Sequence, residues 1–143
     1  MNYILSLTLS LIFLAGPDWH YDYKESQNIA SEEHKTLLLV FSGSDWCKPC
    51  IQLHQQLFES EEFNAYAREH LVLLKADFPY KKKNRLPEEQ TAKNEALAEK
   101  YNPNGEFPLA LFINEKGEVL GTFGFDKSKS PSEYIESFKS IVP

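Results

Sequence analysis

Two cysteines, Cys47 and Cys50, stand three positions apart in the run Trp-Cys-Lys-Pro-Cys at 46–50, and the chain has no others. Thiols at that spacing close a disulfide between themselves, exchange it with another disulfide, or share a soft metal. A static bridge this short closes too little chain to constrain the unfolded state much. A metal would draw on His54, one helical turn beyond Cys50, for an imidazole beside two thiolates. Zinc usually wants a fourth ligand, and His20, His34 and His70 are not spaced to supply it. Haem attachment needs a histidine directly after the second cysteine, where Ile51 stands. Dithiol exchange is the favoured chemistry, with no metal and no cofactor beyond the cysteine pair itself.

The elements around the pair assign its roles. Residues 36–42 (TLLLVFS) form a continuous apolar run of strand length that stops at Gly43, and a helix is expected from about 47 to 58. A helix N-terminus presents unpaired N–H groups and a partial positive charge, which favour thiolate over thiol at the first cysteine. Cys47 is therefore the expected nucleophile, exposed and ionised. Cys50, one turn further in and facing the core, is the resolving thiol. Pro49 suits a first turn, where its missing N–H has no helical partner. Lys48 adds a nearby cation whose effect solvent and salt screen. Trp46 either packs into the core or shields the dithiol and contacts substrate.

The remaining chain alternates helical and extended segments. A weakly amphipathic helix is expected at 23–34 and a short helix at 61–69 capped by Ser60. A second buried strand follows at 71–78 (LVLLKADF), then a helix with Pro87 at its first position running to Tyr101. Two strands, 107–114 and 119–125, are joined by a turn at Glu115, Lys116 and Gly117. Ser130, Pro131 and Glu133 spell a capping box for a last helix that buries Tyr134, Ile135, Phe138, Ile141 and Val142. A helix between the first two strands makes them parallel, and the closing hairpin is antiparallel. The fold class is α/β, a mixed central sheet with helices on both faces. The basic residues Lys81, Lys82, Lys83 and Arg85 read as a solvated loop or a dock for an acidic partner.

A chain of 143 residues, 42% hydrophobic and 25% charged, makes one globular domain and excludes a disordered or polytopic membrane protein. A net charge of -6 argues against a nucleic-acid partner, whose phosphates attract lysine and arginine. Residues 3–16 carry no charge, are too few to span a bilayer comfortably, and end in the small Ala15 and Gly16. They read as a signal peptide within 1–17, cut near 15–17, ahead of a domain at 18–143 that is exported, periplasmic and monomeric. An uncleaved anchor or a buried first element is the alternative, and the n-region lacks Lys and Arg.

The motifs at 41–50 (FSGSDWCKPC) and 102–114 (NPNGEFPLALFIN), with Gly124, resemble the thioredoxin superfamily over about residues 19–143. The segments LVLLKADFP and LPEEQTAKNEALAEKYN further resemble exported bacterial proteins related to the soluble domain of thiol:disulfide interchange proteins. The resemblance implies a thioredoxin fold and a cis bond before Pro108, which would lie against the dithiol. The backbone of Phe107 would then be free to pair with an extended substrate peptide. The chain departs from the family in lacking a buried Asp in the strand before the motif, where Val40 or Phe41 stands. Asp45 and Glu106 are the nearby acids for its proton relay, although Asp45 also reads as a solvated loop residue. Phe107 replaces a smaller residue, implying a narrower, greasier groove. Pro49 before Cys50, with Lys48 in place of a histidine, favours net reduction of protein or small-molecule disulfides, recharged by an inner-membrane donor. The alternatives are a disulfide isomerase and, outside redox catalysis, a peptide-binding module or metal chaperone.

Overall fold

The computed structural model describes residues 16–143, so the uncharged N-terminal run lies outside the described residues except for Gly16. Five strands form one sheet in the order β1-β3-β2-β4-β5: β1 Trp19–His20, β2 Thr36–Ser42, β3 Leu71–Asp77, β4 Leu109–Ile113 and β5 Val119–Phe123. The three strands β1, β3 and β2 run parallel, β4 is antiparallel to β2, and β5 is antiparallel to β4. This is the mixed sheet of a thioredoxin fold. The two-residue β1 escaped the sequence reading because it is too short to carry a periodicity.

The central β2 is buried at every position, which explains its unbroken apolar run: both faces are covered. Helices α1 (Tyr23–Glu33) and α4 (Glu88–Tyr101) contribute Ala30, Leu97 and Tyr101 to one core with Leu37, Leu39, Phe41, Leu74 and Ile113. On the other face lie α2 (Lys48–Leu53), a π-helical turn over His54–Phe58, α3 (Glu61–His70) and α5 (Pro131–Phe138). Their Phe58, Phe63, Tyr134 and Phe138 join Leu38, Leu73 and Phe112 in a second core.

Local signals set most boundaries. Ser60 caps α3 through Phe63 N–H, and Ser130 and Glu133 form the reciprocal capping box of α5. Pro87 is the N-cap of α4 rather than its first helical residue. The helix after Cys47 is not uniform α, because it widens into the π turn after Leu53. Ile135 and Ile141 are only partly buried against the second core. In the hairpin, Gly117 has φ 79°, a left-handed turn position that favours glycine. The exposed residues 81–85 include a short 3₁₀ turn, Lys82–Asn84.

Candidate functional site

The site grows out of the C-terminal end of β2. The Gly43 carbonyl accepts the N–H groups of Trp46 (3.3 Å) and Cys47 (2.9 Å), folding the chain back into α2. The Trp46 indole lies so close over Gly43 that a Cβ there would run into the ring. Two carboxylates tie this loop down. Asp77, at the end of β3, accepts from Ser44 N–H at 3.0 Å and from its hydroxyl at 2.6 Å. Asp45 accepts from the N–H groups of Tyr80 (2.8 Å) and Lys81 (2.9 Å) and from Asn84 Nδ2 (3.0 Å). Those bonds, the Tyr80 N–H first, hold its carboxyl below the ordinary range. Asp45 is thus engaged in clasping loop 80–84, and of its two sequence readings the structure supports the loop role. Glu106 is exposed and contributes its backbone, bracketed by Asn102, rather than a buried carboxylate.

Cys47 is the N-cap of α2, and its sulfur accepts the Cys50 N–H at 3.3 Å, the geometry in which a helix N-terminus favours a thiolate. The two cysteines are joined as a disulfide. The Gly43 N–H points at Cys50 Sγ from 3.5 Å. In this oxidised state Cys47 is 5% exposed and Cys50 4%, so the first sulfur is not on open display as the sequence suggested. Lys48 and Pro49 are exposed on the first turn.

Beside the dithiol, Trp46 is 50% exposed, so it is not a core residue. Its Nε1 donates to the Phe78 carbonyl at 2.7 Å, which fixes the ring. Phe107 stands edge-on to Trp46 at 5.5 Å and to Phe78 at 5.6 Å. The Phe107–Pro108 bond is cis, and both residues precede β4, outside its ladder with β2. The structure thus gathers Trp46, Cys47, Cys50 and Phe107 at one end of the sheet. Phe78 is an aromatic partner that the sequence reading did not single out; its place directly after Asp77, closing the apolar run LVLLKADF, was the available signal.

Behind Cys50 opens a cleft of about 200 Å³ lined by Ser42, Ser44, Cys50, Ile51, His54, Gln55, Glu59 and Lys75. His54 Nε2 lies 3.2 Å from Glu59 Oε1, while its Nδ1 is buried without a hydrogen-bond partner. Burial, then the nearby Lys75 charge, push the imidazole below its ordinary pKa, against an opposing pull from Glu59. Burial likewise pushes the Lys75 ammonium down, and Asp77 opposes it. Lys75 Nζ sits 4.9 Å over the Trp19 ring. Lys75 was missed in the sequence, although one lysine inside LVLLKADF was a visible anomaly. A larger groove of about 500 Å³, between Phe78, Leu86 and Thr91, touches neither cysteine and is set aside as the site. Among the described residues no cluster of three His, Cys, Asp or Glu side chains is gathered as for a metal.

A family model described as a thioredoxin-like domain matches residues 23–137. The disulfide bond reductase DsbH of Chlamydia pneumoniae is 37% identical over 131 residues, covering 92% of this chain and 76% of that protein. The thioredoxin-related protein DsbJ of the same organism is 34% identical over 109 residues, covering 74% of this chain but 30% of its own length. A solved structure of a DsbH oxidoreductase superposes with a TM-score of 0.81 at 36% identity, over 89% of this chain and 85% of that one.

Proposed function

The chain belongs to the thioredoxin-like domain family and is a thiol:disulfide oxidoreductase, and we propose that it works in the reducing direction through Cys47 and Cys50. The observation that carries this reading is the cysteine pair at the start of α2, with Cys47 at the N-cap. In the reduced protein the Cys47 thiolate attacks one sulfur of a substrate disulfide. A Cys47–substrate bond forms and the other substrate sulfur leaves with the electron pair as a thiolate. Cys50 then attacks Cys47, closing the internal disulfide and releasing the second substrate thiolate, so two electrons pass from dithiol to substrate.

Trp46 and Phe107 wall the approach, an apolar surface for the segment flanking a substrate disulfide. The backbone of Phe107, outside the sheet ladder and followed by the cis-bonded Pro108, is offered to an extended peptide, with Lys48 and Pro49 on the rim. Pro49, the non-histidine Lys48 and the likeness to a named disulfide bond reductase support net reduction. The uncharged run at 3–16 supports export to the periplasm, with cleavage near 15–17 and a domain from 18. Among the described residues no helix is long and apolar enough to cross a membrane. A reductase in an oxidising compartment needs recharging, and an inner-membrane dithiol donor fits that need. Disulfide-bearing proteins or peptides are the substrates and the working form is a monomer.

The test is reduction of a model protein disulfide. Cys47→Ser should abolish it, and Cys50→Ser should accumulate a mixed disulfide visible by mass spectrometry. Turnover surviving in the first variant would remove Cys47 from its role. Equilibration with glutathione should leave the pair a stronger reductant than glutathione, and the opposite order would reverse the direction.

A further inference from the structure

The resolving step needs Cys50 as a thiolate, yet this cysteine is 4% exposed and its surroundings hold no buried carboxylate. An ordinary thiol near pH 7 is mostly protonated, and burial in apolar surroundings raises its pKa further. The groups lining the cleft with Cys50 that titrate are His54, Glu59 and Lys75. Lys75 reaches in from β3, where Asp77 influences it, and Glu59 from the end of the π turn. His54 sits one turn beyond Cys50, its N–H bonded to the Cys50 carbonyl. With Nε2 placed to donate to Glu59, the neutral ring carries its lone pair on Nδ1, the buried atom without a partner.

We propose that His54 is the proton acceptor for Cys50: as Cys50 attacks the Cys47–substrate disulfide, its thiol proton passes within the wall of the cleft they share to the buried His54 Nδ1. The Cys47–Cys50 bond forms, the Cys47–substrate bond breaks, and the substrate sulfur leaves with the electron pair. The imidazolium then returns the proton to solvent through its partly exposed edge. Lys75 positions this chemistry electrostatically. A cation beside the ring disfavours imidazolium, keeping His54 an unprotonated acceptor at neutral pH, and it also favours the Cys50 thiolate. Glu59 holds the tautomer.

The inference rests on the dithiol reading, and one experiment separates their failures. Reduced protein mixed with an aromatic disulfide that releases a coloured thiolate should yield colour in two phases, the first from Cys47 attack and the second from Cys50. A first phase surviving in Cys47→Ser would sink the dithiol reading itself. If His54 accepts the proton, the wild-type second phase falls on an acid limb below the ordinary imidazole pKa. His54→Gln should slow that phase about tenfold or more and erase the limb. Lys75→Met should move the limb upward towards the unperturbed imidazole value. A second phase in His54→Gln with wild-type rate and pH profile overturns the proposal. Should His54→Gln misfold, NMR titration of the His54 ring provides the check. Its pKa should differ between Cys47→Ser and the Cys47→Ser, Cys50→Ala double variant, and identical curves would overturn the proposal equally.

Discussion

At the end of the sheet that bears the dithiol, Val40 of β2 pairs with Lys75 of β3, while the next register pair is Phe41 with Ala76. Successive strand residues point to opposite faces. Val40 and Lys75 therefore face α2 and the π turn, and Phe41 and Ala76 face α1 and α4. On the second side the core stays apolar to the edge, where Phe41 stacks on Phe78 at 6.5 Å. On the first side the aromatic cluster stops short, and a cleft with a lysine and a histidine takes its place behind Cys50. The contrast teaches that the redox face gives up packing at the one level where a proton has to move, and recovers it further down through Phe58, Phe63, Phe112 and Phe138.

The strongest way to break this contrast is to exchange the characters of the two faces. Phe41→Lys puts an ammonium among fully buried apolar side chains with no cleft to receive it. It should cost more than about 4 kcal/mol and leave little folded protein by circular dichroism. Lys75→Leu removes a partly buried charge from the other face and should fold within about 1 kcal/mol of the wild type in urea titration. A loss in Lys75→Leu as large as that in Phe41→Lys would show that the cleft face depends on its charge for stability as strictly as the opposite core depends on having none.

The apolar part of the redox face should be the costliest to hollow out. Phe138 is fully buried with ring neighbours Phe112 at 4.9 Å and Phe123 at 4.7 Å, so Phe138→Ala should cost about 3–5 kcal/mol. Leu97 on the other face is 8% exposed at the edge of its core, and Leu97→Ala should cost about 2 kcal/mol. Urea midpoints read both, and a larger loss at Leu97 would invert the ranking.

Much of this contrast was legible in the sequence where a physical signal was strong and local. The continuous apolar run of β2, the Ser130 capping box and the spacing of Cys47 and Cys50 each name an element or a chemistry by themselves. The cis bond before Pro108 was legible only through family resemblance, because nothing in the local composition distinguishes it from a trans edge proline. Other features depend on distant segments. Asp45 finds its donors at Tyr80, Lys81 and Asn84, and His54 meets Lys75 from another strand, pairings that no window along the chain contains. The widening of the helix at His54 has no composition signature, and the burial of Cys47 in the disulfide state is a property of three-dimensional packing that the cysteine spacing does not contain.

The smallest expected effect separates the two faces by the chemistry of their helix caps. On the redox face Ser60 caps α3, its hydroxyl accepting the Phe63 N–H at 3.2 Å. Across the sheet Asp22 caps α1, its carboxylate accepting the Glu25 N–H at 2.9 Å and pairing with Lys93 at 3.0 Å. The Glu25 bond first, then Lys93, lower the Asp22 pKa from its ordinary value of 3.8. A carboxyl whose folded pKa is depressed stabilises the protein above its unfolded pKa, and that contribution fades as pH falls through the folded value. Ser60→Ala and Asp22→Ala should each cost about 1 kcal/mol at pH 7. Thermal melts repeated in acid should keep the Ser60→Ala gap and close the Asp22→Ala gap as pH drops below 3.8, because protonation removes in the wild type what the substitution removes at neutral pH. An Asp22→Ala gap that stays constant into acid would mean that its cap acts without its charge, and the two faces would then be held by caps of the same kind.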